Sequence, residues 1–122
     1  MPASGPTLAY SVRRSVACRA DLEHIFDYLL RTYQDLGDPL GKAFERAVHR
    51  IAGIEAGMDQ LGQTPHQGTL WPQVMDGLRW TTKDRAILYF VVDDSQHRVD
   101  VLAVFFGGQD HKAHMLARIM ER

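Results

Sequence analysis

Cysteine is nearly absent: Cys18 stands alone, so no internal disulfide can form and a disulfide-stapled secreted scaffold is excluded. Charge of one sign is lacking too, because 14 Lys and Arg face 15 Asp and Glu for a formal net charge of -1. A chain whose main work is gripping nucleic acid usually carries a broad positive field, and none exists here, although a local basic patch fits inside a neutral total. Long hydrophobic runs are missing as well. The longest, Ala86 to Val92, is strand-sized and far short of the roughly 20 residues that cross a bilayer. Met1 to Thr7 has neither the basic nor the apolar region of a secretory signal, so we expect a cytoplasmic protein with no membrane contact. What is present is ordinary globular material, 45% hydrophobic and 24% charged, which takes the chain out of the disordered class. A length of 122 residues suits one domain spanning 1–122, burying roughly two-thirds of its unfolded surface.

Hydrophobic period divides the chain. Leu8 to Arg13 alternates apolar and polar, as a half-buried strand does. From Val16 to Asp35, Leu22, Ile25, Phe26, Leu29, Leu30 and Tyr33 recur at helical spacing, with Ser15 placed to cap the helix and Gly37 to end it. Asp38 as N-cap and Pro39 in the first turn then start a second helix, striped by Leu40, Ala43, Phe44, Ala47, Val48, Ile51 and Ile54. So short a link predicts an antiparallel helical hairpin. Gly57 to Asp76 has no sustained period and reads as a long loop.

Three further strands follow at Leu78 to Thr81, Arg85 to Val92 and Arg98 to Phe106, the last two joined by a turn at Asp93 to His97. The nearly all-apolar Ala86 to Val92 suits a central strand covered on both faces, and the shorter first segment suits an edge. Gly107-Gly108 closes the last strand, and Asp110 is placed to cap a helix carrying Met115, Leu116, Ile119 and Met120. The expected fold class is α+β in the order β-α-α-β-β-β-α, with antiparallel strands and helices segregated onto the sheet.

That order, together with Ala20-Asp21-Leu22-x-x-Ile25-x-x-Tyr28, Gly77-Leu78-Arg79, Arg85-Ala86-Ile87-Leu88-Tyr89 and Val101 to Asp110, resembles the RelE/ParE toxin superfamily of type II toxin-antitoxin systems. The likeness runs from about Leu8 to about Arg118, and the long helical hairpin resembles the ParE-like plasmid-stabilisation branch. It departs at Phe106-Gly107-Gly108-Gln109-Asp110, where many relatives carry a histidine, a glycine and a basic residue before the aspartate. The resemblance implies a curved antiparallel sheet, a cognate antitoxin in a hetero-oligomer, no cofactor, and a target that is either DNA gyrase or ribosome-bound mRNA.

An RNA-cleaving relative would need a base for the 2′-OH, an acid for the leaving oxygen and cations for the phosphorane. Candidates for that catalytic set are Arg79, Lys83, Arg85 and His111. The competing reading makes Arg79 and Arg85 solvated residues pairing across the sheet, with Lys83 in a tight turn. Gyrase inhibition asks only for a contact surface, for which Trp71, Trp80, Phe106, Gln109, Asp110 and His111 are candidates. Tyr10 and Tyr89 read as core or cross-strand aromatics, and His66 as a loop residue with no identifiable partner. Asp110, His111 and His114 have two imidazoles and a carboxylate, but no fourth ligand is spaced to complete a zinc site and Asp110 is needed as a cap. Gly107-Gly108 lacks the lysine and spacing of a phosphate loop and reads as a turn. We expect no metal.

Overall fold

A computed structural model describes residues 9–107 and 110–121. Leu8, Gly108 and Gln109 therefore lie outside the described residues. In chain order the elements are β1 (Ser11–Arg14), α1 (Val16–Asp35), α2 (Leu40–Gln60), β2 (Thr69–Leu70), β3 (Arg79–Lys83), β4 (Ala86–Asp93), β5 (Arg98–Phe106) and α3 (His111–Met120). This is the expected α+β layout, with one added strand.

Local chemistry explains most boundaries. Ser15 caps α1 by accepting from the Cys18 amide at 3.0 Å, while its hydroxyl donates to the Leu102 carbonyl at 3.1 Å and ties the cap to β5. Past the helix end, Gly37 takes φ +107°, a conformation a Cβ would oppose. The second helix departs from expectation at both ends. Pro39, not Asp38, occupies the N-cap, and the Asp38 carboxylate instead accepts from Arg46 about two turns into α2. Gly57 does not end α2, which continues to Gln60 because Gly53 and Gly57 serve close approach. A Cβ on Gly57 would stand 3.1 Å from Lys83 Cβ, and one on Gly53 3.2 Å from an Asp84 carboxylate oxygen. The β3–β4 turn packs where those side chains are missing.

The sheet runs β1-β5-β4-β3-β2 and is mixed, which corrects the antiparallel expectation. β1 lies parallel to β5, with Ser11 beside Arg98 and Arg14 beside Val101. From β1 the chain crosses through α1 and α2 to β2 at the far edge of the sheet, and the strands that follow return step by step until β5 lies beside β1. β3 is not an edge either, because Thr69 and Leu70 within the expected loop pair with Trp80 and Arg79. Lys83 and Arg85 exchange their expected settings. Lys83 pairs with Ala86 as the last strand residue, and Asp84 and Arg85 form a two-residue turn with φ of +51° and +67°. Both positive angles match the turn whose twist joins adjacent antiparallel strands.

Alternation along β4 sends Ala86, Leu88 and Phe90 into a core under α1 and α2, and Ile87, Tyr89 and Val91 into a second core on the opposite face. The first core includes Leu22, Ile25 and Leu29 of α1 and Ala47, Ile54 and Met58 of α2. The second includes Leu78, Phe105 and Met115, edged by Trp71 and Trp80. A bulge keeps β5 in step. Tyr89 pairs with Ala103 but Phe90 with Val101, so Leu102 is the extra residue and both Leu102 and Ala103 face the second core. Each fully buried Leu or Phe side chain stabilises by about 1.5–3 kcal/mol, which makes β4, feeding both cores, the strand the fold can least lose.

Asp21 joins the layers. Only 8% exposed on α1, its carboxylate accepts from the Val104 amide at 2.9 Å and from two nitrogens of Arg118 at 2.8 and 2.7 Å. The two-pronged guanidinium contact brings α3 against α1, and the amide contact satisfies a β5 donor that β1 is too short to reach. Among the described residues no helix is long and apolar enough to cross a membrane.

Candidate functional site

The second core rises to the surface as an aromatic cluster. Register places Trp80 of β3 opposite Tyr89 of β4, so both rings point to the face away from the helical hairpin. Their centroids lie 6.5 Å apart, and Trp71, from the segment after β2, lies 6.3 Å from Tyr89. Tyr89 is fully buried, and its hydroxyl meets Nδ1 of His111 at 2.8 Å, at the start of α3. That partner is required, because a buried phenol oxygen without one would lose its hydration uncompensated.

Asp110 fixes where His111 sits by capping α3, its carboxylate accepting from the Ala113 amide at 3.2 Å. The imidazole lies against Trp80, with centroids 4.9 Å apart, and Lys112 sets its ammonium 5.5 Å from Trp80 and 5.9 Å from Trp71. A lysine over two indole faces gains from the ring quadrupoles.

The electrostatics of the group follow from burial. Burial, followed by the neighbouring Lys112 charge, holds the His111 pKa below its ordinary value, while Asp110 opposes the shift. The Tyr89 phenol and Nδ1 of the imidazole share one hydrogen bond. Burial, with a contribution from Asp110, pushes the Tyr89 phenol up to about 12, so it remains a proton donor at neutral pH. The group can stack on flat or apolar surfaces, offer one cation through Lys112 and present the second ring nitrogen of His111 for hydrogen bonding.

The other candidates are dispersed. Arg79 and Lys83 pair with Phe90 and Ala86, on the face that α1 and α2 cover, opposite to His111. The Arg79 guanidinium donates to the His66 carbonyl at 2.9 Å and to that of Gln67 at 3.3 Å. Lys83 packs its stem against Gly57, and Arg85 is exposed at the turn. Phe106 also faces the hairpin side, 6.5 Å from Tyr28 with the Arg50 guanidinium 5.4 Å away. Of the expected contact residues, Trp71, Trp80, Asp110 and His111 therefore meet, Phe106 does not, and Gln109 lies outside the described residues. His114 turns from His111 to stack on Phe105 at 5.8 Å.

Two features carried little sequence signal. Lys112 could have been found from its place beside His111 in a first helical turn, but nothing in the chain pairs it with Trp71. His66 has a partner in Asp94, whose carboxylate accepts from both Nε2 of His66 and the Tyr10 hydroxyl at 2.7 Å. Those hydrogen bonds, that of Tyr10 first, hold Asp94 below the usual carboxylate range.

Mixed sheet, helical hairpin on one face and short helix on the other define a RelE/ParE-like α+β fold. The chain is similar to a solved structure titled as a chromosomal ParDE toxin-antitoxin system from P. aeruginosa, at 20% identity and a TM-score of 0.63, covering 82% of this chain and 98% of that one. It is also similar to a structure of the RelBE2 toxin-antitoxin complex from Mycobacterium tuberculosis, at 16% identity and a TM-score of 0.55, covering 81% and 99%. No protein-family model and no curated protein matches the chain.

Proposed function

We propose that the chain is the toxin of a type II toxin-antitoxin pair and that it acts as ParE-like toxins do, by gripping DNA gyrase without chemistry of its own. The observation that carries this reading is the separation of the cationic candidates. A metal-free ribonuclease gathers base, acid and phosphate clamp around one phosphate, whereas Arg79 and Lys83 share the covered face and His111 stands on the other. A protein contact needs only an amphipathic patch, and Trp71, Trp80 and Lys112 supply one. The toxin-antitoxin complexes of similar fold support a cognate antitoxin as partner.

A second reading, ribosome-dependent mRNA cleavage, is favoured by one grouping. His111 can exchange a proton at Nε2 beside a stacking indole and the Lys112 ammonium, a combination suited to an unpaired nucleotide. The deciding experiment adds purified protein to gyrase supercoiling and, in parallel, to a translation reaction probed for cut mRNA. Trapped cleaved DNA with intact message supports the first reading. Codon-positioned cuts with normal supercoiling overturn it.

A further inference from the structure

Between α2 and β2 the chain forms a strap across one end of the sheet. It starts beside β1, where the Gly62 carbonyl accepts from the Tyr10 amide at 2.9 Å, passes the β4–β5 turn and reaches the far edge at Thr69 and Leu70. From Gln63 to Leu70 no residue is buried. A segment without buried apolar side chains lies at the low end of local stability, so its polar contacts decide where it rests. His66 gathers those contacts from two elements. Its ring Nε2 meets an Asp94 carboxylate oxygen at 2.7 Å, and its carbonyl accepts from the Arg79 guanidinium of β3 at 2.9 Å. Asp94 is itself fixed, because the same oxygen accepts from the Tyr10 hydroxyl at 2.7 Å. The hydrogen bonds from Tyr10 and then His66 hold its carboxyl below the usual carboxylate range, so it is an ionised acceptor at neutral pH.

The strap delivers Trp71 to the aromatic face. Thr69 and Leu70 pair with Trp80 and Arg79, and the next residue places its indole 6.3 Å from Tyr89 and 5.9 Å from the Lys112 ammonium. A pairing of two residues adds little stability by itself. We propose that His66 and Asp94 form a clasp that positions Trp71. Closed, it draws the strap onto the sheet end and keeps the indole beside Tyr89 and Lys112. Open, it lets β2 part from β3 and takes the indole out of the contact face. Gly68 fits the closed state. It has φ +87°, and a Cβ there would stand 2.5 Å from the Trp80 carbonyl oxygen, so the strap lies flat on β3 shortly before Trp71. His66 and Asp94 are positioning residues, acting on the target only through the indole they place.

This inference rests on the gyrase reading for its effect on inhibition, and on the strap alone for its effect at Trp71. The full chain is labelled with 5-fluorotryptophan, and the fluorine resonances of Trp71 and Trp80 are assigned through Trp80→Phe. His66→Leu removes the ring contact at an exposed position, His66→Gln restores an N–H donor at similar reach, and Tyr10→Phe leaves the clasp in place. The Trp71 resonance shifts and broadens in His66→Leu while that of Trp80, held by β4, stays narrow. His66→Gln and Tyr10→Phe resemble the parent chain. In parallel, the concentration that half-inhibits gyrase rises about threefold in His66→Leu and returns in His66→Gln, the scale of one exposed charged contact. An unmoved Trp71 resonance in His66→Leu, or equal displacement by leucine and glutamine, overturns the proposal. Displacement of Trp71 by leucine alone, in a chain whose parent form leaves gyrase untouched, upholds the clasp and overturns the gyrase reading.

Discussion

Removing the Asp21 carboxylate should cost more stability than any other single polar change in the described fold. In Asp21→Ala the Val104 amide, fully buried on β5, loses its acceptor, and an unsatisfied buried N–H costs about 1–3 kcal/mol. Arg118 loses both of its short contacts as well. Breaking a buried ion pair by deleting one partner costs about 3–5 kcal/mol, but the Arg118 side chain is 33% exposed and can turn to water, so we discount that part to about 1 kcal/mol. The expected total is about 2–4 kcal/mol. In a domain of this size it lowers the melting temperature by about 10 °C or more. Arg118→Ala should cost about 1–3 kcal/mol, because it leaves the buried Asp21 carboxylate with the Val104 amide but without its countercharge. Urea unfolding of the two single variants and the double variant closes the cycle, and the double variant should resemble Asp21→Ala. A loss below about 0.5 kcal/mol in Asp21→Ala, the typical effect of a surface change, would refute the claim that this carboxylate completes the β5 edge.

Gly57→Val should destabilise by about 1–3 kcal/mol through overpacking against Lys83, whereas Gly41→Ala, with nothing within 4 Å of the new Cβ, should stabilise by about 0.5–1 kcal/mol; denaturant midpoints decide both. His111 has a folded pKa below its ordinary 6.5, so its contribution is fully present above that value and lost as pH falls from there toward the folded pKa. Thermal unfolding between pH 8 and 5 should show that loss, and His111→Gln should flatten it. Cys18, buried and with its thiol pushed up to about 11 chiefly by burial, should react with a thiol reagent only on unfolding, and rapid labelling of the native chain would contradict its placement. Trp80→Ala should abolish most gyrase inhibition at unchanged secondary structure if the outer face is the contact, as large central aromatics carry interface energy; full retention of inhibition moves the contact elsewhere.

Elements with strong local signatures were legible in the chain. Ser15, Val16 and Asp35 bound α1 as read, Asp110 caps α3, and the apolar run of β4 lies between two cores. What escaped depends on partners distant in sequence. Nothing local to Thr69 and Leu70 says that β3 will pair with them, and a glycine at 57 looks the same whether it ends a helix or admits Lys83. The Asp84-Arg85 turn misled for a related reason. Neither residue is glycine, so the sequence lacks the usual mark of a positive-φ hairpin, and Arg85 reads locally as strand. The site was half legible: its aromatics stand out by type, but face assignment needs register. One residue of register moves a side chain across the sheet, and Arg79 and Trp80 differ by that one residue.

That parity is also why the proposed function turns on the sheet and not on an inventory of residue types. Arg79, Lys83 and His111 are suitable for phosphate chemistry wherever they stand, but two cations on the hairpin side and one imidazole on the other cannot reach a common phosphate across a packed sheet. Moving Arg79 into a shared site would require β3 to slip by one residue. The same slip would carry Trp80 into the hairpin core and disrupt its pairing with Tyr89, whose partner on the outer face is His111. The Tyr89–His111 hydrogen bond and the Trp80 contact therefore hold the register that keeps the cations apart. Double substitution Tyr89→Phe with His111→Ala should loosen the outer face, raising amide exchange along β3, without gathering a ribonuclease site. Gain of RNA cleavage in that variant would show that the separation of faces does not govern the chemistry.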